Sequence, residues 1–368
     1  MVCRALNELD DLSTTNPRVL IAMDQRTDVA VASSKFSNLT LESFGGNRLS
    51  FVRRAAATTL KEQAELALIG HVNHAPLGLL LKRLRPNLRY GVMLHGIEAW
   101  SKLPPIKRRA LRAADFILSV SDYTRQRVVE VSGINPENVY LLPNALAWND
   151  EAGSEFRVSN SEPRKPGIRL LSVCRFDAGE QYKGIDMVIK ALPGVIARVP
   201  DLEYSIVGTG NDLERHQRLV EEMGVAANVR FLGGIDDKAL RECYRACDAF
   251  VLPSDGEGFG IVYLEAMHYG KPVIAANSRA VPEVVKHNET GRLIDYGNVE
   301  QLAESISTLC LNANLRETLG RAGRERLQLN FTFDLFKQKL HRILRNELPA
   351  TLPNIKKAIP REVTSPDA

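Results

Sequence analysis

Apolar residues in this chain fall into short runs separated by longer amphipathic stretches, and that alternation sets the expected architecture. Runs at residues 66–70, 89–94, 116–120 and 139–142 read as buried strands, and so do 169–174, 203–207, 229–232, 249–253 and 272–276. Between them, helical periodicity covers 48–63, 77–84, a segment opening at Ser121-Asp122-Tyr123-Thr124, 212–223, 237–246, 280–287, 299–311 and 333–346. Strands that alternate with helices predict parallel α/β sheets. The amino end breaks this rhythm. Residues 3–12 look like the tail of a helix, 18–23 like a strand, and 24–44 like a polar connection.

The pattern lapses at 148–167, a polar stretch with two prolines that predicts an interdomain linker. A chain of 368 residues has room for two cores. The expected division is a first domain at 1–147, the linker, a second domain at 168–330, a terminal helix at 331–347, and a disordered tail at 348–368. Apolar content of 44% with 25% charged residues fits a soluble globular protein. No apolar run approaches a membrane span, and no leader-like segment opens the chain. The five cysteines are odd in number and scattered, which favours buried thiols over a zinc site and fits a reducing cytoplasm.

Candidate chemistry concentrates in 249–276. A strand feeds a turn bearing Gly256, Gly258 and Gly260. A helix then opens near Phe259 or Gly260 with Ile261, Leu264 and His268 along one face, and a second strand follows Gly270. Glycines let the backbone approach a ligand, and the unpaired N–H groups of a helix start suit a phosphate. Glu257 and Glu265 flank that anion site, and carboxylates there suit sugar hydroxyls. A nucleotide sugar meets both requirements. The loop alone fits equally well a glycine-capped core helix with solvated glutamates. Arg175 and, after a polar loop, Lys183-Gly184 place two cations at the mouth of the 169–174 strand, where they can neutralise a diphosphate. Gly208-Thr209-Gly210 is half a dinucleotide fingerprint, but Leu213 replaces its third glycine, so a nicotinamide site is disfavoured.

Glu257-Gly-Phe-Gly followed by Leu264-Glu265-Ala266-Met267 resembles the E-x7-E signature of the retaining glycosyltransferases of family 4, and the resemblance runs from about residue 90 to about residue 345. It implies the GT-B fold, in which two Rossmann-like domains face each other across a cleft. It also implies transfer of a hexose from a UDP- or GDP-linked nucleotide sugar to an acceptor hydroxyl in polysaccharide or glycolipid synthesis, with retained configuration and no metal or other cofactor. By resemblance, Arg175 and Lys183 bind the donor diphosphate and Glu265 the ribose, while Glu257 takes the transferred sugar. Gly258, Phe259 and Gly260 form the cradle, Gly208 and Ile235 border the donor, and His95 faces the sugar from the first domain. The helix at 333–346 resembles one that crosses back to the first domain. Ala145 stands where the family has glycine.

Family members begin with a strand and a Gly-Gly loop over the donor phosphates. Here Gly45-Gly46 lies about twenty residues beyond the strand at 18–23, and LALIGHVNHAPLG after its helix resembles a later strand. The expectation is a truncated start lacking the first strand, with activity reduced. The alternative makes 18–23 the first strand and Gly45-Gly46 its delayed loop.

Between Phe51 and Arg112 there are twelve Lys or Arg against three Glu, although the whole chain is only +4. Such basic helices suit an anionic membrane face or a lipid-linked acceptor, and equally a solvated cationic surface. No recognition motif for nucleic acid accompanies them. No D-x-D occurs. Two rivals remain. One is a nucleotide-sugar-binding protein without turnover; the other is a phosphorylase-like enzyme, which needs a longer chain. The expected location is cytoplasmic, peripheral on the inner face of the plasma membrane.

Overall fold

The structure is a computed structural model that describes residues 1–8, 18–22, 36, 38–146, 148 and 167–346. Most of the expected linker and the whole 348–368 tail lie outside the described residues.

The first domain contains α1 (Val2–Asn7), β1 (Arg18–Ile21), β2 (Thr40–Ser43), α2 (Arg48–Lys61), β3 (Leu66–Ile69) and α3 (Ala75–Leu84). It continues with β4 (Arg89–Leu94), α4 (Pro105–Arg112), β5 (Phe116–Ser119), α5 (Asp122–Ser132) and β6 (Val139–Leu141). Strands β3 to β6 form a parallel sheet in sequence order, and β1 and β2 pair in parallel as a separate two-stranded sheet. Helices start where the side chains allow: Asn47 accepts the Ser50 N–H at the head of α2, and Ser121 that of Thr124 at α5.

The amino end departs from its sequence reading. The expected polar connection at 24–44 carries a strand, β2, within it. Gly45-Gly46 therefore follows a strand after only Phe44, rather than after a long excursion from β1. The pair leads straight into α2, and the Gly46 N–H donates to the Ala22 carbonyl at 2.8 Å. A four-residue strand with Leu41 as its one apolar residue gives no apolar run to detect.

The second domain runs β7 (Arg169–Val173), α6 (Ile185–Ile196), β8 (Glu203–Val207), α7 (Leu213–Glu222), β9 (Val229–Gly233), α8 (Asp237–Ala246), β10 (Ala249–Leu252), α9 (Ile261–His268) and β11 (Val273–Ala276). It closes with α10 (Val281–Val284), β12 (Gly291–Ile294), α11 (Val299–Leu311) and α12 (Ala313–Asn330). All its strand pairings are parallel, in the order β12-β11-β10-β7-β8-β9. Both β10 and β11 are buried along their whole length, as a parallel sheet covered by helices on two faces requires.

One further expectation fails here. The helix at 280–287 shrinks to Val281–Val284, because Val285 already takes up extended backbone (φ −94°, ψ 126°), and the chain then turns through Asn288 at a φ of 60°. On α9, the face carrying Ile261, Leu264 and His268 is unevenly buried, with Ile261 exposed and Leu264 buried, and Tyr263, Ala266 and Met267 are buried as well.

The last helix, α13 (Phe333–Asn346), packs Phe336, Leu340 and Ile343 against Phe116, Leu118 and Leu142 of the first domain. Trp148 belongs structurally to the second domain. Its ring lies 5.9 Å from Tyr244 and 5.8 Å from Tyr269, with Arg241 over its face.

Candidate active site

In the second sheet the chain moves outward from β7 through β8 to β9, then returns to β10 on the other side of β7. The carboxyl ends of β7 and β10 therefore diverge, and such a switch point opens a crevice where ligands bind in open α/β sheets. From β7 comes the segment carrying Arg175 and Lys183, the latter in a 3-10 turn (Ala178–Lys183). From β10 comes the glycine loop and α9. Gly208 follows β8 and Ile235 lies just beyond β9, on the same edge because all strands are parallel.

The loop is held closely. Its Asp255 N–H donates to the Tyr182 carbonyl at 2.8 Å. Gly258 passes against the first domain so tightly that a Cβ there would sit 2.0 Å from the His95 carbonyl, and a Cβ on Gly96 would sit 2.5 Å from the Gly258 Cα. Two glycines let two backbones touch across the domains. Gly260, at a φ of +90°, turns the chain into α9.

Charges meet at this crevice. Lys183 Nζ donates to Glu257 Oε1 at 2.7 Å, with both side chains largely buried. Burial works against the Lys183 ammonium, but the neighbouring Glu257 outweighs it and pushes its pKa up. Arg175 is exposed and its guanidinium is held by Glu180. Arg175, Lys183, Glu180, Cys174 and the buried His216 line one small pocket. On α9, Glu265 Oε2 accepts from the Tyr244 hydroxyl at 2.7 Å. Burial pushes the Glu265 carboxyl up to about 7, the Tyr244 bond pulling down and Asp237 adding to the rise.

From the first domain, His95 Nε2 lies 2.7 Å from the Gly70 carbonyl, and its backbone N–H donates to Glu98 Oε1 at 2.6 Å. The His71 ring stacks on it at 5.9 Å, with the His71 pKa lowered by burial. The structure thus brings Arg175, Lys183, Glu257, Gly258 and Gly260 together and sets His95 against their loop, while Glu265 stands further along α9 with Tyr244 as its partner. Phe259 does not face the crevice: its ring is buried edge-on against Phe331, which leaves only its backbone to the loop. Ile235 packs partly into the second core.

Sequence reasoning missed the residues that support these groups. Arg279 bonds the Asp255 carboxylate at 3.0 Å and reaches the Tyr123 hydroxyl at 3.3 Å across the cleft, lying over the Trp100 ring. Glu283 accepts from the Asp122 and Tyr123 N–H groups at 2.8 Å each, so a second-domain carboxylate sits on the start of α5. No local pattern marks Tyr244, whose partner Glu265 lies 21 residues on, and Glu180, only five residues from Arg175, reads as one acid in a polar loop. Among the described residues, no three His, Cys, Asp or Glu side chains are grouped to hold a metal ion, and no helix is long and apolar enough to cross a membrane.

Two family models match the chain: Glycosyltransferase Family 4 over residues 17–146 and Glycosyl transferases group 1 over residues 158–326. A GDP-mannose-dependent alpha-(1-6)-phosphatidylinositol monomannoside mannosyltransferase of Mycobacterium tuberculosis is 34% identical over 286 residues, covering 74% of each chain. Its namesake in Mycolicibacterium smegmatis is 36% identical over 264 residues, covering 68% of this chain and 69% of that one. Among solved structures, a glycosyltransferase from Rickettsia africae superposes with a TM-score of 0.77 at 18% identity over 91% of both chains. HepE of Anabaena in complex with UDP and glucose gives 0.73 at 19% identity, over 93% of this chain and 95% of that one. These two likenesses bear on the fold, which is GT-B.

Proposed function

The chain belongs to glycosyltransferase family 4 and is a hexosyltransferase of glycolipid synthesis, and from that premise we propose that it moves mannose from GDP-mannose to a hydroxyl of a phosphatidylinositol mannoside. The observation that carries this reading is the order of charges along the crevice. A cation, Lys183, and the start of α9 stand where a diphosphate would lie, with Glu257 on one side and Glu265 on the other.

In this reading Lys183 exchanges Glu257 for the donor diphosphate, and Arg175 exchanges Glu180. Glu257, released, accepts hydroxyls of the mannose, and Glu265 accepts those of the ribose. As the bond between the anomeric carbon and the phosphate oxygen breaks, negative charge grows on the leaving diphosphate. Both cations and the α9 start stabilise it. The acceptor oxygen bonds the anomeric carbon and gives up its proton to the departing diphosphate oxygen, with GDP as the second product. His95 lines the sugar side from the first domain. We assign retention of configuration, and stabilisation of the leaving group by side chains and backbone rather than by a metal.

The basic first-domain helices α2 and α4 fit an anionic membrane surface, where a lipid-linked acceptor resides. This makes the enzyme a peripheral one on the cytoplasmic face.

A panel of nucleotide sugars, offered with phosphatidylinositol mannoside and assayed for nucleoside diphosphate release, tests the reading. GDP-mannose is expected to turn over only when the acceptor is present. Turnover confined to a UDP-linked sugar, or binding without release from any donor, would overturn it.

A further inference from the structure

Among the described residues, Glu265 differs from the other carboxylates of the crevice in having no cation against it. Among the described residues, the titratable groups acting on it are the Tyr244 hydroxyl and the Asp237 carboxylate, both from α8. A half-buried carboxylate without a counter-ion is oriented by its hydrogen bonds alone. Here one bond is made, from the Tyr244 hydroxyl to Oε2 at 2.7 Å, and Oε1 takes no hydrogen bond among the described residues.

Tyr244 is built to hold that position. It is fully buried, with its ring 5.6 Å from Phe250, stacked on Tyr269 at 6.4 Å and met edge-on by Trp148 at 5.9 Å. Rings on three sides fix the phenol, and its hydroxyl points at α9. The packing alone would be served by phenylalanine. A buried hydroxyl is costly unless partnered, and the partner is the one glutamate assigned to the nucleotide.

We propose that Tyr244 is the positioning residue for ribose recognition: its hydroxyl pins one oxygen of Glu265 so that the other is presented to the ribose hydroxyls of the donor. The proposal rests on the assignment of Glu265 to the ribose. It adds α8 to the donor site, although no α8 residue is given a ligand contact.

Tyr244→Phe in the full chain tests it, with GDP or UDP as the probe, whichever wild type binds more tightly, alongside the 2′,3′-dideoxy analogue. Affinities are measured by calorimetry from about pH 6 to about pH 8. Wild type is expected to prefer the ribose form by roughly tenfold at the alkaline end, the preference growing as Glu265 ionises. In Tyr244→Phe the dideoxy affinity should be unchanged and the preference should shrink by about three- to tenfold. Its pH midpoint should move upward, because the hydroxyl that lowers the Glu265 pKa is gone.

A variant that keeps both preference and midpoint overturns the proposal while leaving the ribose assignment intact. A wild type without any preference overturns the ribose assignment instead. Tyr244→Phe combined with Glu265→Gln removes the charged acceptor together with its donor, and guards against a folding artefact. If the two residues act as a unit, the double variant shows no more loss of preference than Glu265→Gln alone. Additive losses would refute the pairing.

Discussion

Glu257 and Glu265 are the same side chain at two stations of one loop-and-helix unit, and the protein handles their charge in opposite ways. Glu257 meets Lys183 at 2.7 Å, whereas Glu265 meets a neutral phenol at 2.7 Å. A cation offsets the cost of burying a carboxylate through Coulomb attraction. A hydroxyl offers one hydrogen bond and leaves the desolvation largely uncompensated, so the Glu265 pKa climbs to about 7. Burial alone does not decide how a carboxylate behaves; the partner does. One glutamate is therefore the counter-ion of a buried lysine, and the other a carboxylate made sensitive to neutral pH by its burial.

Removing the cation should break this contrast most severely. In the proposed reading Lys183→Ala deletes a diphosphate contact, and it strands Glu257. Nucleoside diphosphate affinity, measured by calorimetry, should fall about tenfold to a hundredfold. An unchanged dissociation constant would mean that the cation serves Glu257 alone.

Glu257→Gln should act on the other half of the pair. Transfer should slow by roughly tenfold, one charged hydrogen bond to the sugar being lost, while nucleoside diphosphate binds at least as tightly because Lys183 is no longer shared. Steady-state rates together with product inhibition read both quantities. Weaker product inhibition would contradict the exchange of partners.

Glu265→Gln sharpens the comparison through stability. The folded state holds the Glu265 proton more tightly than the unfolded chain, about 7 against an ordinary 4.5. The folded carboxyl therefore binds more protons between those values, and its contribution to stability declines as pH rises through that window. Glutamine escapes the decline. Relative to wild type, the variant should gain roughly 1 to 3 kcal/mol in urea unfolding between about pH 4 and about pH 8. A gap independent of pH would remove desolvation as the cause.

The smallest effect belongs to Arg175. Its side chain is 77% exposed, so water already screens its pairing with Glu180. Arg175→Ala should weaken nucleoside diphosphate binding by only about three- to tenfold, and increasingly less as salt is added. A loss matching that of Lys183→Ala would show that donor binding buries the guanidinium.

Much of this site was legible along the chain. The strand, glycine turn, helix and strand from β10 to β11 follow from apolar runs interrupted by glycine, and the two glutamates stood out as carboxylates beside an anion site. Arg175 and Lys183 were recognisable as cations at a strand mouth. Other features were hidden. Strand β2 is four residues long with Leu41 as its one apolar residue, and α10 stops after one turn where Val285 takes up extended backbone. Arg279 looked like any loop arginine until the fold placed Asp255, Tyr123 and Trp100 around it.

By itself the sequence determined the α/β alternation, the position of the glycine cradle and the residue types available for chemistry, because each depends on neighbours within a few residues. Only the tertiary structure decided which groups are partners. Lys183 and Glu257 are 74 residues apart and Tyr244 and Glu265 are 21 apart, and each pair meets because strand order and helix packing bring it together. Ionisation depends on distance and dielectric in space, not on spacing along the chain. That is why Glu257 and Glu265, two glutamates of one motif, came to face a lysine and a neutral phenol.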